Sequence, residues 1–254
     1  MIYKRFNNSI LIHHSERYSK GVILIVRYLS PDDRGKGFLR IMARQAAKRT
    51  GSYKIGITGN ICAGKTLVRS ILERSGINTL DPAEAVISML IDNPTRMGVR
   101  PIEHLGTEAL DSRGRITRKK LISLLYRDIE KRALMENKLA PYQRDEIKRF
   151  LFGPVGSYIR AVESPNLLEE DTRHLYDEIW VVTTSPAQQT QRLMGRECLT
   201  QAEARYLIDA QWPQSKKASM GDRVIDNSLD MHETENQVRK ALDEINLKVL
   251  KVSF

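Results

Sequence analysis

The stretch YKIGITGNICAGKTLVRSILER, Tyr53–Arg74, decides how the rest of the chain is read. Tyr53–Thr58 (YKIGIT) is a short β-rich run that stops at Gly59, and Lys65–Arg74 (KTLVRSILER) places apolar residues at helical spacing. Between them GNICAGKT, Gly59–Thr66, fits the pattern G-x-x-x-x-G-K-[ST]. That pattern is informative when it follows a strand and opens a helix, as it does here. Gly59 permits the sharp turn, and Gly64 lets the backbone approach a phosphate. The backbone N–H groups from Gly59 to Leu67 then form a concave anion site at the positive end of the helix. Asn60, Ile61, Cys62 and Ala63 occupy the variable positions and shape the loop. Lys65 is expected to reach the β- and γ-phosphates of ATP, and the Thr66 hydroxyl to hold Mg2+.

Outward from this centre, Gly76 ends the first helix, and Ile77–Leu80 reads as a second strand with Asp81 at its C-terminal end. Open parallel sheets collect their ligands at such ends. A polar helical stretch follows, then a turn at Ser112–Thr117 and helices over Arg118–Tyr126, Glu130–Leu139 and Pro141–Leu151. Tyr158–Val162 and Glu178–Thr183 read as the third and fourth strands. Ser185 caps a helix that runs to Arg196, and Thr200 with Glu203 has capping-box spacing for a helix ending at Gln211. Arg223–Ile225 is a last short strand, and His232–Leu250 a closing helix. Strands that alternate with helices predict an α/β fold: three layers, with a parallel five-stranded sheet between helices.

The chain has 254 residues, of which 41% are hydrophobic, enough for a full core. No apolar run approaches the roughly 18 residues of a membrane span. Gly21–Val26 (GVILIV) is stopped by Arg27 and reads as a buried strand. Cys62 and Cys198 are far apart and lack metal-ligand spacing, which favours a reducing compartment. The expectation is cytoplasmic, with the mitochondrial matrix or another organelle as the alternative. The five histidines form no ligand cluster. The net charge of +10 is uneven: residues 1–50 hold eleven Lys/Arg against three acidic residues, while the rest is nearly balanced. We therefore divide the chain into a basic N-terminal extension, 1–50, and a domain, 51–254. The extension could meet nucleic acid or a larger complex, target the chain to an organelle, or be a solvated arm. The sequence leaves the oligomeric state open.

From Tyr53 to about Leu250 the chain resembles the dephospho-coenzyme A kinases. The resemblance rests on an ordered set: IGITGNICAGKT (Ile55–Thr66), GINTLDPAE (Gly76–Glu84), DSRGRITRKKL (Asp111–Leu121), LAPYQRDEI (Leu139–Ile147), SPNLLEE (Ser164–Glu170), the long stretch Asp177–Pro213, and RVIDNS (Arg223–Ser228). It implies a P-loop fold of the nucleoside-monophosphate-kinase type, with a helical lid and CoA region. It also implies Mg2+-ATP as donor and the ribose 3′-hydroxyl of dephospho-CoA as acceptor. Lys65, Thr66, Asp81, Arg118, Gln189, Arg192, Arg196, Gln211 and Lys217 stand at matching positions. The resemblance implies catalytic roles for Lys65, Asp81, Arg192 and Arg196, with Asp81 joining Thr66 at the metal. Four positions depart from the family pattern. The second aspartate of the acidic turn is Ala83, the histidine before proline is Ala140, a leucine is Asn166, and an arginine of the second lid helix is Leu207. Glu84 could replace the missing carboxylate only with a shifted backbone.

Two readings follow. One is a dephospho-CoA kinase, weakened where the acceptor site is altered. The other is a kinase-like nucleotide-binding protein without activity, a structural or RNA-associated subunit docked in a larger assembly by its basic arm. Several residues carry an ordinary reading beside the functional one. Arg192 and Arg196 lie four apart and could form a solvated basic face; Asp81 could be a local cap; Glu169 could touch the acceptor or only solvent. Trp180 and Trp212 are expected to pack. Cys62 within the loop could make nucleotide binding sensitive to oxidation. Val26–Gly51 resembles the strand, R-G-x-G turn and helix of GNAT acetyltransferases, too short for that domain, with a helix expected over Phe38–Arg49.

Overall fold

A computed structural model describes residues 2–6, 9–18, 21–28, 52–92, 101–154, 158–170 and 172–252. The chain divides into two compact units, Gly51–Lys240 and Met1–Thr50 with Ala241–Phe254.

In the second of these, β1 (Ile2–Phe6), β2 (Ser9–Tyr18) and β3 (Gly21–Tyr28) form an antiparallel sheet in the order β1-β2-β3. The segment expected to be an extension therefore carries three strands, of which the sequence reading found only Gly21–Val26, within β3. The helix expected at Phe38–Arg49 lies outside the described residues.

The larger unit is built on β4 (Tyr53–Thr58), β5 (Asn78–Leu80), β6 (Ile159–Glu163), β7 (Glu178–Thr183) and β8 (Arg223–Asp226). They form one sheet in the order β5-β6-β4-β7-β8, and every pairing is parallel. Among the described residues the α-helices are α1 (Lys65–Arg74), α2 (Pro82–Asp92), α3 (Pro101–Leu105), α4 (Arg118–Arg127), α5 (Ile129–Phe152), α6 (Pro186–Glu197), α7 (Gln201–Asp209), α8 (Gln214–Met220) and α9 (Met231–Val252). The expected α/β class and parallel five-stranded sheet are both present. Among the described residues, no helix is long and apolar enough to cross a membrane.

Central position explains composition. Ile55 and Ile57 of β4, Ile159, Ala161 and Val162 of β6, and Ile179–Val182 of β7 are all buried, as strands covered on both faces must be. Each large apolar side chain buried there contributes about 1.5–3 kcal/mol. Because β4 lies mid-sheet, its C-terminal end opens between the ends of β6 and β7. The loop after β4 is thereby flanked from both sides.

Local signals set the helix ends. Gly76 has φ 77° and follows α1. Its N–H reaches Glu73 O at 2.9 Å, and the Ile77 N–H reaches Leu72 O at 3.0 Å, the two bonds of a glycine-terminated helix. The capping box at Thr200 and Glu203 forms as its spacing predicts. Two differences stand out: α8 forms where no helix was expected, and the two helices expected on either side of Ala140 are a single helix, α5, with Pro141 inside it. An interior proline costs about 3 kcal/mol. However, Met135 and Leu139 before it and Ile147 and Leu151 after it are buried in two core clusters that anchor the helix on both sides, and together they outweigh that cost.

Candidate active site

The loop after β4 turns where the glycines allow it. Gly59 has φ 142°, and a Cβ there would lie 2.3 Å from Val182 O. Gly64 has φ 106°, and a Cβ there would lie 1.9 Å from Asn227 Nδ2. Both positions exclude a side chain. Cys62 also sits in the left-handed region, at φ 57°, a conformation costly for a side-chain-bearing residue. The loop's carbonyls are taken from behind. Gln189 Nε2 donates to Ile61 O at 2.8 Å, Arg192 Nη1 to Cys62 O at 3.5 Å, and Asn227 Nδ2 to Ala63 O at 2.9 Å. Carbonyl oxygens held back in this way leave a site fit for an anion rather than a cation. Gly64 caps α1, and no acidic residue stands in the first turn of that helix to oppose a phosphate.

Ile61, Cys62, Gly64, Lys65, Thr66 and Leu67 line a cleft of about 570 Å³. Gly59, Asn60 and Ala63 are not part of that lining; Asn60 and Ala63 are buried as the loop's own support. Lys65 Nζ donates to Asn60 O at 3.0 Å. Burial pushes its ammonium down to about 8, against the opposing pull of Glu163. A half-buried cation that lines the cleft and donates to a neutral carbonyl stands ready for a negatively charged ligand. The Cys62 thiol is pushed up by burial, despite Arg196 and Lys65 nearby. This opposes the thiolate that easy oxidation would need.

An acidic group stands across the cleft that the sequence reading passed over. Glu163 ends β6, which pairs with β4 so that Ile57 faces Glu163 in register. It accepts from Thr66 Oγ1 at 3.1 Å and from Arg69 Nε at 2.8 Å. Burial, and then the Asp81 charge, push its carboxyl up. The signal was available: an acid closing a strand, at the start of ESPNLLEE. Only the sheet order, however, shows that this strand adjoins the phosphate loop. Asp81 lines the same cleft and also caps α2, accepting from the Glu84 N–H at 3.0 Å. The capping reading of Asp81 is thus seen directly, and its carboxylate also stands within the cleft. Glu84 does not line this cleft; it pairs with Arg118, so neither serves the phosphate site directly. Thr66, Asp81 and Glu163 offer only oxygen donors, which suits Mg2+. Among the described residues no group of three metal-ligating side chains forms a cage, and Mg2+ bound through phosphates and waters needs none.

The lid side divides its arginines. Arg192 and Arg196 on α6 both line the cleft. Arg192 also donates to Thr184 Oγ1 at 3.3 Å and to Asn227 O at 3.2 Å, so its guanidinium braces the loop. Arg196 pairs with neighbouring Glu197 and is half exposed. Leu207 is buried with Ile61, Leu193 and Ala204, and packs under the loop where the family pattern has an arginine. Lys217 is fully buried and pairs with Glu169 at 2.7 Å, while also donating to Pro165 O at 2.8 Å. Glu169 is thus the partner of a buried cation rather than a surface group. Trp180 is fully buried and donates to Glu178, as its packing role predicts. Trp212 packs against the cluster around Leu167, with Lys216 Nζ 3.3 Å from its ring centre.

A second cleft, of about 230 Å³, adjoins the first and shares Ala83, Arg132, Glu163 and Pro165 with it. Ala83, Ala140 and Asn166, three of the four departures, all line it. Ala140 and Asn166 thus lie outside the Lys65 cleft, Ala83 lines both clefts, and Leu207 packs under the phosphate loop.

Comparison with known proteins gives one answer. Residues 53–233 match the model of the dephospho-CoA kinase family, CoaE. A dephospho-CoA kinase of Synechococcus sp. (strain JA-3-3Ab) is 33% identical over 210 residues, covering 74% of this chain and 90% of that protein. A dephospho-CoA kinase of Enterococcus faecalis is 32% identical over 191 residues, covering 75% and 96%. A Danio rerio dephospho-CoA kinase domain-containing protein is 33% identical over 190 residues, covering 73% and 82%. Among solved structures, a Thermus thermophilus protein superposes with a TM-score of 0.58 at 25% identity, covering 76% of this chain and 97% of its own. The Campylobacter jejuni dephospho-CoA kinase superposes at 0.51 and 19% identity, which bears on the fold alone. With its phosphate loop, its ordered motifs and these relatives, the chain belongs to the dephospho-CoA kinase family.

Proposed function

We propose that this chain is an active kinase that moves the γ-phosphoryl group of ATP to the ribose 3′-hydroxyl of dephospho-CoA, releasing ADP and CoA. The observation that carries the reading is the intact nest. Lys65 is half-buried in the phosphate loop and lines the cleft, and Thr66 is bonded to Glu163. In phosphoryl transfer, positioning and charge stabilisation supply most of the rate.

Each residue takes a role from its place. The loop amides and Lys65 hold the β- and γ-phosphates. Thr66 and Asp81, with Glu163 behind Thr66, would hold Mg2+, which neutralises charge on the phosphates when bound. Arg196 meets the charge of the transferring group, and Arg192 keeps the loop in shape. The acceptor lies in the cleft of Ala83, Ala140 and Asn166. Its 3′-oxygen attacks the γ-phosphorus, the bond to the bridging oxygen of ADP breaks, and the hydroxyl proton passes to Asp81 or to water. Without a second carboxylate at position 83, proton removal is the weak step. Loss of a positioned base typically costs on the order of 10²–10⁴ in rate.

The test is ADP release from Mg2+-ATP with dephospho-CoA, beside Lys65→Ala. Turnover clearly above that variant supports the kinase. Nucleotide binding without turnover on dephospho-CoA would overturn it and leave a binding protein, or a kinase for another hydroxyl.

A further inference from the structure

Ile61 is held at both of its backbone groups by side chains from different parts of the lid. Its N–H donates to Gln211 Oε1 at 2.7 Å, and its carbonyl accepts from Gln189 Nε2 at 2.8 Å. Gln189 projects from α6 and is only 4% exposed; Gln211 follows α7. The backbone fixes which way each amide points. An N–H needs the glutamine oxygen and a carbonyl needs the glutamine NH2, so the two side chains are not interchangeable.

The same residue is gripped elsewhere. The Ile61 side chain packs with Leu193, Ala204 and Leu207 of these two helices. One residue earlier, Asn60 Nδ2 donates to Trp212 O at 3.1 Å, beside Gln211. Loop and lid thus meet through complementary hydrogen bonds, of which the Gln189 bond is buried and the other two part-buried, where an unmade bond is costly.

From this we infer that Gln189 and Gln211 are a two-sided latch that ties the phosphate loop to the lid helices. They are positioning residues: they act through the Ile61 peptide and set the direction of the loop amides that receive the nucleotide phosphates. Loop shape and lid position become one cooperative unit, so binding of phosphates also orders the lid. The inference rests on the nucleotide-binding reading above.

The test uses the full chain, with Mg2+-ATP affinity measured by calorimetry and Ile61 amide exchange measured by NMR without nucleotide. Gln189→Met and Gln211→Met are each expected to weaken Mg2+-ATP binding by about tenfold to a hundredfold. The double variant is expected to be little worse than the weaker single one, because both act on one peptide. Gln211→Glu keeps an acceptor and retains slow exchange at Ile61, whereas Gln211→Met loses it. Should Gln189→Met fail to fold, Gln211→Met and Gln211→Glu, at a partly exposed position, still decide the matter. Affinities within about twofold of wild type, fully additive losses, or equal exchange in the two Gln211 variants would overturn the latch. If the wild-type chain itself failed to bind Mg2+-ATP, the nucleotide reading would fall and take the latch with it. Unchanged variants beside a wild type that binds would remove the latch alone.

Discussion

Lys65 donates from Nζ to the carbonyl oxygen of Asn60 at 3.0 Å, within its own loop. Among the described residues this half-buried ammonium thus has a neutral carbonyl as its hydrogen-bond acceptor. Burial lowers this ammonium to about 8, and a bound phosphate would raise it again. The protonated form is the one that binds. Mg2+-ATP affinity is therefore expected to be highest below about pH 8 and to fall by up to about tenfold per pH unit above it. Near pH 8 binding should take up protons, seen as a dependence of the calorimetric heat on the buffer's ionisation enthalpy. Affinity flat from pH 7 to 9.5 would contradict this.

Glu163 accepts from both Thr66 and Arg69, so Glu163→Gln removes charge beside the proposed metal position. We expect kcat to fall by about 10²–10³, the loss found when one preorganised charged group is removed. The Mg2+ concentration needed for half activity should rise. Titrating kcat against Mg2+ checks this, and an unchanged metal requirement would exclude Glu163 from the metal's surroundings.

Gly64 cannot carry a side chain, since a Cβ would fall 1.9 Å from Asn227 Nδ2 at φ 106°. Gly64→Ala should break the Asn227 bond to Ala63 O and strain the loop, costing about 1–3 kcal/mol of stability. Thermal unfolding reads the stability loss, and calorimetry should show weaker nucleotide binding. A melting temperature and affinity equal to wild type would refute the bracing role of Asn227.

Ala83 lines both clefts, where the family pattern has a carboxylate. Ala83→Asp is expected to raise kcat with dephospho-CoA by about tenfold or more, with the KM for ATP little changed. A fall in kcat, or no change, would mean that proton removal does not limit this chain.

Some of this architecture was readable in the sequence. β4 and α1 were found residue for residue, because a strand stopped by glycine and a helix opened by GKT are local signals. The single helix α5 was split in two at Pro141, since local rules weigh the missing N–H but not the burial of both halves against the core. β1 and β2 were missed although Asn7 and Asn8 are turn residues, because SILIHHSERY lacks clean alternation. At the site, Lys65, Thr66 and Asp81 could be named from motif and family. Glu163 and Asn227 could not, because their roles depend on strand order: β6 and β7 flank β4, and β8 lies beyond β7. The latch of Gln189 and Gln211 spans well over a hundred residues of sequence and appears only once the lid is folded.

The most direct test follows the phosphate itself. The chain is incubated with γ-labelled ATP, Mg2+ and dephospho-CoA, and the product is isolated and its phosphate located by NMR. The account predicts label on the ribose 3′-oxygen with the wild-type chain and none with Lys65→Ala. Label that stays in ATP with the wild type, or appears equally with Lys65→Ala, would contradict it.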